Sequence, residues 1–273
     1  MYKIFDTHND YFTSLKFNWS KQKYINKSIN VAQHIITAVW TSKMKPNLAL
    51  ETINNASAFI SSNKNLSLAI EDLHFLTKQN MFEIINNHPK YCSLTWNYNN
   101  ILAGGALDNG DITNFGKDVI KLFENNDIFI DTAHLNEKSF MTLSNLTTKP
   151  MLCSHTASYE MNAHKRNLKD YQIKIITESG GLVSFALVSD FLCGKHKSTI
   201  DDFVNHIDYC VNKFGIDYFA IGTDFYGTKH LPKNIKNYQS LEKFLSEKLT
   251  KRGYTFNDIS KLFYQNAYNF FEK

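Results

Sequence analysis

The chain has 273 residues, 43% of them hydrophobic, and its 30 basic and 26 acidic residues leave a formal net charge of +4. A chain this long can bury a large core as one domain. The charge is spread without a basic block or arginine-rich stripe, so no nucleic-acid partner is suggested. No apolar run approaches the roughly 20 residues of a membrane helix, so no membrane partner is expected.

Four cysteines, Cys92, Cys153, Cys193 and Cys210, form no Cys-X-X-Cys pair and no even framework, which reads as reduced thiols. Met1 leads straight into Tyr2-Lys3-Ile4-Phe5-Asp6, with no room for a charged leader, an apolar signal core and a cleavage site. The expected location is therefore the cytoplasm. No Pro/Gly/Ser-rich linker or fixed-period repeat divides residues 1–273, so one domain is expected.

In chain order, β-branched or aromatic runs predict strands at Lys3–Thr7, Ile35–Thr41, Leu66–Glu71, Tyr91–Trp96, Ile128–Ala133, Met151–Ser154, Gly181–Ala186 and Tyr218–Thr223. Between them lie segments with apolar residues three and four apart, such as Asp118–Phe123 and Ile200–Ile207. Eight rounds of strand and helix imply parallel pairing and an α/β fold, a closed (β/α)8 TIM barrel. The last stretch, Asn257–Phe271, has a helical pattern. It is expected to pack on the barrel exterior with Asn257 or Ser260 as its cap.

Polar residues punctuate these strands at one end. His8 and Asp10 follow the first within Asp6-Thr7-His8-Asn9-Asp10, Glu71 ends the third, and His134, His155 and Asp224 follow the fifth, sixth and eighth. Side chains two apart on an extended segment share a face, so His8 and Asp10 offer one imidazole nitrogen and one carboxylate oxygen to a single cation, Zn²⁺ or a similar borderline metal. Singly, His134 and His155 read as hydrogen-bonded loop histidines, Glu71 as a solvated strand end and Asp224 as a turn or helix cap. Jointly they mark the C-terminal mouth, where barrels of this type carry their chemistry.

These segments, with His74 after Glu71, Leu94-Thr95, Ser154-His155-Thr156-Ala157, His164–Asp170 and Gly222-Thr223-Asp224-Phe225, resemble the membrane (renal) dipeptidase family of metal-dependent dipeptidases nearly end to end. The resemblance implies two zinc ions per chain. His8 and Asp10 would hold one, His134 and His155 the other, and Glu71 would bridge them. It further implies a metal-bridging hydroxide that attacks a dipeptide amide, Asp224 as general base and then acid, Arg166 as the residue that binds the substrate's C-terminal carboxylate, and a homodimer. A planar guanidinium suits the carboxylate role because it can pair bidentately.

Three departures bear on activity. Trp96 stands where the family usually has a histidine that contacts the peptide carbonyl, and its indole offers only a donor. It reads either as a core residue or as a stacking surface for substrate. Tyr226 stands where a second aspartate is common, and the span from Asp10 to Glu71 and the C-terminal tail are shorter than usual. The alternatives to a dipeptidase are therefore a hydrolase of another small amide, with Trp96 in a reshaped substrate pocket, or a barrel that binds metal or ligand without turnover.

Overall fold

The computed structural model describes residues 2–14 and 31–272. Eight strands, β1 (Phe5–Asn9), β2 (His34–Trp40), β3 (Leu66–Glu71), β4 (Tyr91–Ser93), β5 (Phe129–Asp131), β6 (Leu152–Thr156), β7 (Leu182–Phe185) and β8 (Phe219–Ile221), pair in sequence order. Asp6 of β1 meets Ile221 of β8, closing a parallel (β/α)8 barrel. All eight predicted strands are present, several trimmed by a residue or more. β4, β5 and β8 each lose three residues, whereas β1 and β6 each run two residues past their predicted ends, to Asn9 and Thr156.

The helices that wrap the barrel and carry the argument below are α1 (Pro46–Ser61), α2 (Asn114–Glu124), α3 (Glu137–Leu146), α4 (Asp170–Glu178), α5 (Ser189–Cys193), α6 (Ile200–Phe214) and α7 (Tyr238–Lys251). Their starts are chemically marked. Thr113, Asn136, Thr199 and Asn237 each accept a backbone N–H in the first turn of α2, α3, α6 and α7, satisfying donors that have no intrahelical partner. In α6 the buried residues Phe203, Val204, Ile207 and Cys210 recur at helical spacing and face the core, leaving Asp201 and Lys213 on the outer side.

The C-terminal segment differs from expectation in two ways. It starts one residue before the predicted stretch, at Phe256, and its cap is Thr255. The Thr255 hydroxyl accepts from the Asp258 N–H while the Asp258 carboxylate accepts from the Thr255 N–H, a reciprocal box that neither Asn257 nor Ser260 supplies. It also does not lie only against the outer wall. The final helix, Asn266–Phe271, closes the N-terminal end of the barrel, where Ala267 and Phe271 join Phe5, Ile36, Tyr91, Leu152 and Leu182 in the interior cluster. Phe271 stacks on Phe5 with centroids 5.8 Å apart and meets Phe129 edge-on at 6.0 Å. Small interior residues such as Ala38, Ala69 and Ala220 leave room that a bulky ring fills, because a barrel of eight strands is packed by side chains.

Candidate metal centre

The strand pairing places the polar residues with more care than simple alternation would. In β1 the register shifts between Asp6 and Asn9, and in β6 between Cys153 and Thr156. His8 lies inside the first irregularity and His155 inside the second, so both sit within their strands rather than after them. Bulges of this kind re-aim a side chain, and here they turn two imidazoles into one space: their ring centroids are 3.8 Å apart.

Two other residues reach the space through an unusual backbone. His134, beyond β5, has φ of 71°, and Asp224, beyond β8, has φ of 55°. Non-glycine residues in this left-handed region are uncommon and cost about 1–3 kcal/mol, a cost that tends to be kept where a side chain must point one way. The Asp224 N–H donates to the His8 carbonyl at 3.0 Å, and Asp10 N–H donates to the Phe225 carbonyl at 2.9 Å, locking the β1 and β8 ends together. Gly227 completes the fit: a Cβ there would lie 2.1 Å from Asp224 Oδ1 and 2.2 Å from Asp10 Oδ2.

His8, Asp10, Glu71, His134, His155, Asp224 and Arg166 are brought together at the mouth. Nε2 of His8 lies 3.4 Å from Asp10, 3.9 Å from Glu71 and 3.9 Å from Asp224. Glu71 Oε1 lies 2.5 Å from His134 Nε2 and 3.8 Å from His155 Nε2, and the two Nε2 atoms face each other at 3.0 Å. His8, Glu71 and His155 make one group with ligand distances, and His8, Asp10 and Asp224 a second, so Asp224 stands within ligand reach as well. Trp96 is not in the core. It lines the mouth, edge-on to Trp40 at 5.3 Å and 5.8 Å from the His134 ring. Tyr226 lines the same cavity, whereas His74 turns away and bonds the Met44 carbonyl at 3.0 Å.

Each imidazole is oriented from behind. The Tyr91 hydroxyl donates to the Thr7 carbonyl at 2.8 Å, so toward Nδ1 of His8, also 2.8 Å away, it accepts. Ser154 donates to Asp131 at 2.6 Å and so accepts from Nδ1 of His155 at 2.9 Å. The Asn97 side-chain oxygen faces Nδ1 of His134 at 3.0 Å. These partners each accept from Nδ1 and so turn the Nε2 edge of all three rings toward the clustered carboxylates, the arrangement that second-layer partners impose on ligating histidines. Sequence reading gave no role to Tyr91, Asn97, Ser154 or Asp131. The available signals were a serine directly before His155 and an aspartate closing the apolar run Ile128–Ile130.

The electrostatics favour a cation. Burial, and then the neighbouring Asp10, hold the Glu71 and Asp224 carboxyls well above the usual range. Burial opposes a charge on His8, yet Asp10, Glu71 and Asp224 push its pKa up to about 10, so the ring holds a second proton on Nε2, facing the carboxylates. Burial, with Arg166 and His8 nearby, keeps His134 and His155 well below their ordinary value and therefore neutral. His8 Nε2 is buried with no hydrogen-bond partner. Two neutral imidazoles with Nε2 atoms 3.0 Å apart, a third Nε2 without a hydrogen-bond partner and clustered carboxylates fit divalent metal with N and O ligands.

A parallel barrel with clustered imidazoles and carboxylates at its C-terminal mouth is a barrel with a candidate metal centre. The model of the membrane dipeptidase family, peptidase family M19, matches residues 17–273, and the chain belongs to that family. His8 and Asp10 precede the matched span, so their place in the centre rests on geometry.

The chain is 32% identical over 167 residues to an uncharacterized Klebsiella pneumoniae protein encoded in the pqqA 5′ region, covering 59% of this chain and 61% of that protein. It is 24% identical over 193 residues to the uncharacterized dipeptidase C965.12 of Schizosaccharomyces pombe, covering 67% of this chain and 46% of that protein. The matches therefore span less than two thirds of either relative's length. Among solved structures, a metallo peptidase from Rhodobacter sphaeroides, liganded with a phosphinate mimic of the dipeptide L-Ala-D-Ala, superposes with a TM-score of 0.86 at 17% identity over 100% of this chain and 99% of that one. Dipeptidase AC, also a metallo peptidase, gives 0.87 at 18% identity over 99% and 98%. At these identities the superpositions speak for the fold.

Proposed function

We propose that the chain hydrolyses the amide bond of dipeptides, at a centre of two zinc ions, of which His8 and Asp10 would hold one, His134 and His155 the other, and Glu71 would be the ligand they share. The observation that carries this reading is the convergence of the His134 and His155 Nε2 atoms and the Glu71 carboxylate at the base of a cavity of about 500 Å³, with His8 Nε2 buried 3.9 Å from Glu71. When bound, two such cations supply a water of near-neutral pKa and a polarised carbonyl.

The chain's own residues supply the rest. Asp224, beside His8 and facing the cavity, is the group that takes the proton from the attacking water and returns it to the leaving amine. Arg166 is 7% exposed, and among the described residues no carboxylate lies within ion-pair distance of it. Its guanidinium instead contacts His155 Nε2 at 2.9 Å and lies over the Phe191 ring. A buried cation without an anion favours a substrate that brings one, and the terminal carboxylate of a dipeptide does so. Trp96 and Trp40, packed edge to face, make one wall of the cavity, an apolar surface in place of a polar carbonyl contact. That wall favours substrates with large apolar side chains over small ones.

The test is a panel of L,L and L,D dipeptides, their C-terminal amides and N-acyl amino acids, assayed with wild type and Arg166→Met. Dipeptides should be cleaved and their amides poorly. Arg166→Met should lower kcat/KM for the free acids about 10²-fold or more, as truncating one partner of a buried charge pair costs about 2–5 kcal/mol, and should leave the amides little changed. Turnover confined to N-acyl amino acids or other small amides would move the substrate class, and metal binding without turnover would make the protein a binder.

A further inference from the structure

Asp190, His196 and His230 form a second, separate group with metal-ligand spacing on the rim of the same mouth. Asp190 lies in α5, just after β7. Gly194, with φ of 66°, ends that helix and folds the chain back so that His196 returns over Asp190. His230 comes from the segment after β8, and its carbonyl is held by the Ser189 N–H at 2.9 Å. The side-chain amide of Asn162 donates to the carbonyls of Asp190 and Phe191, both at 2.9 Å, so the carboxylate stands on a fixed backbone.

Nδ1 of His196 is 3.1 Å and Nδ1 of His230 is 3.8 Å from the same Asp190 oxygen, Oδ2. These values bracket the ~3.3 Å edge of a tetrahedron whose metal bonds are about 2.0 Å. The two rings lie 4.1 Å apart, so both nitrogens address one carboxylate from one side. Two imidazoles and a carboxylate make an N₂O set suited to zinc or a similar borderline cation, and the exposed His196 leaves the fourth position to water.

We propose that Asp190, His196 and His230 bind a divalent transition metal, with zinc as the fitting ion, at a rim site distinct from the buried centre. The site ties the segment after β7 to the segment after β8. Val188 and Phe191 on the first and Thr228 on the second line the substrate cavity, so a cation at the rim braces two of its walls.

The experiment is equilibrium dialysis of full-length wild type, His196→Gln and His230→Gln against buffered free Zn²⁺, with bound zinc counted by mass spectrometry and folding checked by thermal melts. Wild type should hold one more zinc per chain than either variant, and in the variants the affinity of that equivalent should fall by about tenfold or more, since even outer-layer partners of a metal are worth that much. Equal zinc counts in all three proteins at every free zinc concentration would overturn the proposal. Failure of the buried centre to load would lower all three counts alike and leave the difference between wild type and the variants to be read.

Discussion

The Tyr91 hydroxyl lies 2.8 Å from Nδ1 of His8 and 2.8 Å from the carbonyl of Thr7, the residue before that histidine. One buried tyrosine from β4 therefore fixes both the backbone of the β1 bulge and the tautomer of the imidazole it carries. The pairing links two strands that are not neighbours in the sheet and joins the interior packing to the centre above it.

Tyr91→Phe keeps the ring and removes that hydroxyl, leaving the Nδ1–H of His8 and the Thr7 carbonyl without this partner. Metal affinity should fall about 10–100-fold, and stability by about 1–3 kcal/mol. Zinc competition with a chromophoric chelator measures the first and urea unfolding the second. Unchanged affinity would show that His8 needs no such anchor.

Asp224→Asn keeps the shape of the side chain at its left-handed backbone position, which asparagine also tolerates. It removes the proton acceptor. kcat for a cleaved dipeptide should fall about 10²–10⁴-fold. Because Asp224 also lies within ligand reach of His8 and Asp10, zinc content is read on the same sample. A full complement of zinc with undiminished kcat would remove Asp224 from the proton path.

A pH effect is expected far from the centre. His34, at the start of β2, stacks on Phe5 at 4.5 Å and bonds Ser67 at 2.9 Å. Burial, only partly offset by Glu272, holds its pKa down to about 4 from the ordinary 6.5. A depressed folded value means that the neutral ring's contribution is complete above 6.5 and is lost as pH falls toward 4. Over that window the group accounts for on the order of 2–3 kcal/mol. Urea unfolding of wild type and His34→Gln at several pH values isolates it, and the variant should show the shallower acid slope. Parallel slopes would refute the assignment.

Much of the barrel was legible because parallel strands are buried on both faces and so appear as short apolar runs, as at Leu66–Glu71 and Gly181–Ala186. Glu71, His134 and Asp224 stood out because a charged or imidazole side chain where such a run stops is conspicuous. The bulges that bear His8 and His155 were not legible, since an irregularity of pairing depends on the neighbouring strand. Tyr91 was equally hidden, since it acts on a neighbour in space 83 residues away, whereas Ser154 and Asp131 left a signal of position, beside His155 and at the end of an apolar run, but not of their partners. Helical periodicity in Asn257–Phe271 showed that a face would be buried, but not that Phe271 would cover the barrel's lower end. The Thr255 cap was readable in principle from Thr255 and Asp258, three residues apart.

The most direct test of the central claim is steady-state hydrolysis of the dipeptide panel by zinc-loaded protein, by the same protein stripped with a chelator, and by stripped protein reloaded, with zinc counted in each sample. The expected result is two zinc ions per chain at the buried centre, read in a His196→Gln background to remove the rim site, with cleavage lost on stripping and regained on reloading. A fully loaded buried centre that cleaves no dipeptide, or cleavage that survives removal of the metal, would contradict it.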